Sequence, residues 1–147
     1  MGKKGNVKLT LWGLSVLSGL LLSLPWLVPG SGPVALVALV PLLVAEQIAS
    51  GAGVRHFFPW HYAAFVLWNA ATTFWVCNAT VGGGIFAVLA NALQMSLIFG
   101  LFRLAKKHLK GALPYIFLAA AWIAWERWYL TSAQISWPWL VLGNAFA

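Results

Sequence analysis

The chain has 147 residues, 62% of them hydrophobic and 7% charged, and its net charge is +7. Soluble domains are roughly half apolar and a quarter charged, so this composition excludes an ordinary water-soluble fold and makes lipid the solvent for much of the surface. The charge does not signal nucleic acid, because the basic residues stand in small clusters between apolar runs, with no basic face or stripe.

Residues 1–8 form a basic leader in which Lys3, Lys4 and Lys8 precede the first apolar run, which predicts a cytoplasmic amino terminus. Span 1 is predicted over 9–28. It has full crossing length, so it reads as an uncleaved helix and not as a signal peptide. Ser15 and Gly19 form a pair of small residues four apart, which lets a second helix approach closely. Pro25 and the run Pro29-Gly30-Ser31-Gly32-Pro33 end the helix in a tight turn.

Span 2 is predicted over 34–48, with Pro41 inside it and Glu46 and Gln47 at the far interface. A carboxylate deep in lipid costs about 3 kcal/mol without a partner. Arg55 and His56, in the loop that follows, are the nearest partners in sequence. Span 3 is predicted over 60–80. Trp60 and Tyr62 mark one end and Phe74 and Trp75 the other, as in an aromatic belt. Asn69, Thr72, Thr73 and Asn78 give it a polar side for bonding across the bundle. Asn78-Ala79-Thr80 has the form of a glycosylation sequon but lies too close to the membrane to serve as one.

Gly82-Gly83-Gly84 reads as a flexible turn. A phosphate-cradling role would need a βαβ setting that is not visible here. Span 4 is predicted over 85–104, with Asn91 and Gln94 on one face, either toward the bundle or along a substrate groove. It ends in the densest basic cluster, Arg103, Lys106, Lys107, His108 and Lys110. These residues mark a cytoplasmic loop. Lys106, Lys107 and Lys110 also suit anionic headgroups, at about 1 kcal/mol each. Span 5 is predicted over 114–130. Pro114 fits a first helical turn, and Glu126 and Arg127 sit near the outer end among Trp122, Trp125, Trp128 and Tyr129.

The predicted fold is therefore all-α: a polytopic transmembrane bundle of about five spans over 9–130, with a periplasmic-side segment over 131–147. With the amino terminus inside, every basic cluster except Arg127 falls on one side. His56, His61 and His108 show no ligand spacing with Cys77 or the two acids, so neither a metal site nor a cofactor is expected. Cys77 is the single cysteine, and no intrachain disulfide can form within these residues.

The last stretch has the most distinctive residues. Trp122-x-x-x-Glu126 is followed by Ser136-Trp137-Pro138-Trp139-Leu140 and Leu142-Gly143-Asn144. This pattern resembles the membrane part of bacterial apolipoprotein N-acyltransferases, which show W-x-x-x-E and then PW-x-x-x-G at the periplasmic end of their helices. The apolar start, Pro41-Leu42-Leu43 and Phe74-Trp75 are similar to the amino-terminal region of that family. The family often has an arginine about three residues after the glutamate, whereas Arg127 follows Glu126 directly. Ser136-Trp137 stands where many members have an apolar residue before the proline.

The resemblance implies transfer of an acyl chain from a phospholipid to the amino-terminal cysteine of a lipoprotein, in the bacterial inner membrane. The implied route is a thioester on an enzyme cysteine, assisted by a glutamate and a lysine of a periplasmic nitrilase-like domain. This chain is then expected to be the membrane portion, inactive alone, with no catalytic residue of its own. Glu126, Trp122, Trp137, Pro138, Trp139 and Gly143 are the candidate substrate-channel or structural residues. Glu126 has two readings: it ties down the following loop through an indole or backbone hydrogen bond, or it shapes the mouth through which lipid arrives. The implied partners are a phospholipid acyl donor, an apolipoprotein acceptor and the bilayer. A reading from another class is a small complete membrane protein, acting as an oligomeric scaffold or a transporter subunit. Pro25 and Pro41 would be its helix breaks, although the halves show no repeat.

Overall fold

Apolar segments that water cannot reach must satisfy their backbone groups internally, and an α-helix does so within one segment. The computed structural model describes residues 2–132 and 138–146. Among the described residues it contains helices and no strand. The five α-helices are α1 (Gly2–Leu27), α2 (Val40–Gly51), α3 (Phe58–Thr73), α4 (Val81–His108) and α5 (Leu113–Ser132). Three stretches, Gly5–Leu27, Gly32–Gly51 and Val81–His108, are long and apolar enough to cross a membrane. α3 has 16 residues and continues into a 3-10 helix, Phe74–Asn78.

α2 packs on α1, α1 on α3, α3 on α4, and α4 on α5. The interior is aromatic. Phe57, Phe65, Trp68, Phe99 and Phe102 are fully buried, and the Phe99 ring lies 5.2–6.3 Å from those of His61, Phe102, Phe65 and Phe57. Leu20, Leu97, Ile116 and Ile123 are exposed on the outer faces. An exterior of this kind suits acyl chains better than water.

The small pair in α1 makes a close crossing with α3. A Cβ on Gly19 would stand 2.7 Å from the Ala64 carbonyl oxygen of α3, and Ser15 beside it is buried. The polar side of α3 is also turned inward. Asn91 Nδ2–H of α4 donates to Asn69 Oδ1 at 2.8 Å, while Asn69, Thr72 and Thr73 donate to carbonyls of their own helix. Each polar side chain thereby gains a partner without water.

Two elements depart from the sequence expectation. Span 2 is not one helix over 34–48. A 3-10 helix, Gly32–Leu36, comes first, and α2 starts at Val40, which places Pro41 in its opening turn. Proline costs nothing there, because the first backbone donors of a helix have no partner to lose. The triple glycine is not a loose turn either. Extended Thr80 (φ −158°, ψ 122°) starts α4 directly, and Gly82–Gly84 form its first turn. Gly84 packs against the preceding 3-10 helix so closely that a Cβ would lie 2.8 Å from the Cys77 backbone nitrogen. Close approach, not flexibility, is what the glycine provides at that position.

From Gly84 to Arg103, α4 rises about 28 Å, close to the thickness of a hydrocarbon core. The bundle therefore has two ends. The basic end gathers the start of α1, the α2–α3 loop, the last turns of α4 and the loop that follows it, with all the lysines and every arginine except Arg127. The opposite, neutral end gathers the close of α1, α3 and α5 and the start of α4.

Candidate functional site

Helical spacing sets the neutral-end site. Trp122 and Glu126 are four apart on α5 and share a face, so the indole reaches the carboxylate. Trp122 Nε1–H donates to Glu126 Oε1 at 2.9 Å. The backbone N–H of Leu142 donates to the same oxygen, also at 2.9 Å. One carboxylate oxygen thus joins α5 to the carboxyl-terminal segment, which forms two short 3-10 helices, Pro138–Leu140 and Leu142–Phe146.

That segment is tied down at three further points. Trp26 Nε1–H, from the end of α1, donates to the Trp139 carbonyl oxygen at 2.9 Å. The Trp139 ring meets Trp75 edge-on with centroids 5.9 Å apart. Gly32 lies against the Ala145 carbonyl group so closely that a side chain at that position would collide with it. Leu140 and Ala145 are buried as a result. Beneath the segment is a cavity of about 20 Å³, lined by Asn91, Met95, Trp122, Glu126, Tyr129 and Leu140 among others. Such a volume has room for about one water. Sharing this cavity puts Glu126 level with Asn91, about 10 Å along α4 from Gly84 and deeper than the outer margin of the span.

The structure therefore brings Trp122, Glu126 and Trp139 to one end of the bundle. Pro138 opens the first of the two 3-10 helices. Gly143 is exposed, and a Cβ there would meet nothing among the described residues, so none of them explains the glycine sterically. Trp137 lies outside the described residues. Trp26, Gly32 and the Leu142 amide are participants that sequence reasoning missed. Gly32 carried a visible signal in its Pro-Gly cluster, but that cluster read only as a turn. A backbone amide such as that of Leu142 leaves no mark in a sequence.

The basic end is built around the other acid. Glu46 is buried and accepts hydrogen bonds from Ser50 Oγ at 2.7 Å, from Arg103 Nε at 3.1 Å and from Lys106 Nζ. Arg103 also donates to the carbonyls of Val54 and Arg55, and its guanidinium stands 5.3 Å from the Phe57 ring centroid. The expectation that Arg55 or His56 would supply the partner is thus corrected. Both cations come from α4, because helix packing brings its last turns beside the end of α2. Only the backbone carbonyl of Arg55 takes part.

An apolar-faced bundle of helices, with interior polar pairs and one charged end, defines a polytopic membrane protein. Residues 18–147 match the family described as the apolipoprotein N-acyltransferase N-terminal domain, and the chain belongs to that family. It is 32% identical over 137 residues to the apolipoprotein N-acyltransferase of Chlorobaculum tepidum, a match covering 91% of this chain and 25% of that relative. The chain thus spans about a quarter of the length of the curated relative it matches. No solved structure matches it.

Proposed function

We propose that this chain is the membrane portion of an apolipoprotein N-acyltransferase of the bacterial inner membrane. Its basic end faces the cytoplasm and its neutral end the periplasm. The five-span division over 9–130, the leader 1–8 and the periplasmic-side segment 131–147 belong to the same proposal. The reaction moves an acyl chain from a phospholipid to the amino-terminal cysteine of a lipoprotein. The observation that carries the structural role is the Glu126 tie: one carboxylate oxygen holds both the Trp122 indole and the Leu142 amide. Glu126 and Trp122 position the carboxyl-terminal segment, and Trp137, Pro138, Trp139 and Gly143 shape the mouth at which lipid arrives.

The covalent chemistry is assigned outside these residues. A thiol becomes an effective nucleophile when a base adjoins it. Cys77 instead packs toward Gly84. Glu46 is at the other end of α4, about 28 Å away, and Glu126 is occupied by neutral donors. Among the described residues, no three His, Cys, Asp or Glu side chains gather into a metal-binding group.

Complementation tests the proposal. Residues 1–147, expressed alone in cells depleted of apolipoprotein N-acyltransferase, should give no rescue. The Chlorobaculum tepidum enzyme, with its matching quarter replaced by this chain, should rescue, and should still do so with Cys77→Ser. Rescue by the short chain alone would overturn the assignment of catalysis elsewhere.

A further inference from the structure

We infer that the basic end carries a binding site for an anionic glycerophospholipid, with the phosphate between Arg55 and Lys107 and one acyl chain along α4. This inference does not rest on the acyl-transfer reading, since the site lies at the opposite end of the bundle from Glu126.

A groove of about 590 Å³ opens between the α2–α3 loop, the start of α3 and the last turns of α4. Two polar side chains in its wall are almost wholly buried: His61 is 3% exposed and Ser96 is 1% exposed. Among the described residues, His61 Nδ1 and Ser96 Oγ have no hydrogen-bond partner. Buried polar atoms are nearly always paired. Of the six unpaired side-chain atoms among the described residues, these two line the groove, so a molecule with polar atoms seated in it lies nearest to them.

The rim specifies the charge of that molecule. Arg55, Arg103, Lys106 and Lys107 line the groove against one acid, Glu46. Arg103 spends its donors on Glu46 and the Val54 and Arg55 carbonyls, and Lys106 is bonded to Glu46. Arg55 and Lys107 are exposed, and their side chains carry no ion pair among the described residues. The cationic excess is thus held by these two side chains, at the height where headgroups lie.

The remaining wall specifies a tail. Leu97, Leu101 and Leu104 line the groove and are at least half exposed. Their spacing of four and three places them on one face of α4. Gly100 stands between them, and a Cβ there would meet nothing, which leaves an open furrow against the helix backbone. A free phosphate would use the rim alone. A phospholipid uses the cations, places glycerol and ester oxygens near His61 and Ser96, and lays an acyl chain over the leucines.

The test is native mass spectrometry of the 147-residue chain released from detergent. The probes are phosphatidylglycerol, phosphatidylcholine with the same acyl chains, and inorganic phosphate. One phosphatidylglycerol should be retained in preference to phosphatidylcholine, and millimolar phosphate should not displace it. Arg55→Gln with Lys107→Gln should lower phosphatidylglycerol affinity roughly 25-fold, as expected for loss of two interfacial cations. Both positions are exposed, so the bundle remains folded. Gly100→Ala, whose Cβ meets nothing within 4 Å, narrows the furrow and should weaken retention of both lipids. Equal retention of the two lipids, indifference to the double substitution, or displacement by phosphate would overturn the site.

Discussion

The two glutamates sit at opposite ends of one bundle and are held in opposite ways. Glu46 is gripped by two cations from α4, a helix some 57 to 60 residues further along the chain. Among the described residues Glu126 has no cation partner, and it accepts from an indole and a peptide N–H. The contrast separates two jobs. At the basic end the carboxylate neutralises charge that would otherwise be buried beside Phe57, so its negative charge is essential. At the neutral end the oxygen atom serves as an acceptor joining two pieces of chain, and its charge matters less.

That difference is open to measurement by unfolding in detergent. The largest effect should come from Glu46→Gln, which leaves Arg103 and Lys106 without their counter-ion. A loss of about 3 kcal/mol is expected, as for breaking a buried pair from one side. A double-mutant cycle between Glu46 and Arg103 should return strong coupling; additive losses would break the comparison. Next comes Gly32→Ala, whose new methyl collides with the Ala145 carbonyl group. It should cost about 2 kcal/mol, read as faster amide hydrogen exchange over Leu142–Phe146 with α1–α4 unchanged.

Removing the indole donor by Trp122→Phe should cost about 1 kcal/mol, the usual net worth of one hydrogen bond. The smallest effect should be that of Glu126→Gln. Its amide oxygen can still accept from both Trp122 and Leu142, and the loss should stay under about 1 kcal/mol. A Glu126→Gln protein as unstable as Glu46→Gln would show that the charge at the neutral end matters after all.

Features that depend on near neighbours in sequence were legible. The Ser15 and Gly19 pair announced a close helix crossing, and Gly19 meets Ala64. Asn91 was expected to face the bundle, and it bonds to Asn69. Trp122 and Glu126 were legible because helical spacing alone brings them together. Features that depend on which helices pack together were not. Proximity in sequence points to the nearest loop for the partners of Glu46, whereas packing supplies them from α4. Gly82–Gly84 looked like a turn because a glycine run permits many conformations, and only the position of Cys77 reveals a packing role. The predicted span 2 has Pro41 inside it. The chain starts a new helix there instead, which costs less than proline in a helix interior.

The bond from Trp26 to Trp139 has a consequence for how the protein is made. Its partners are 113 residues apart. At translation rates of about 5–20 residues per second, the end of α1 waits roughly 6 to 23 seconds before its carbonyl partner is synthesised. The Gly32 recess, whose occupant Ala145 comes later still, waits with it. During that interval α1 to α4 can insert and pack while the neutral end stays open. The Trp26 indole, an apolar ring with one N–H, is well suited to that wait, because water can hold its N–H until the chain delivers Trp139. The neutral-end contacts of Trp26 and Gly32 therefore form only after α1 to α4 have been synthesised.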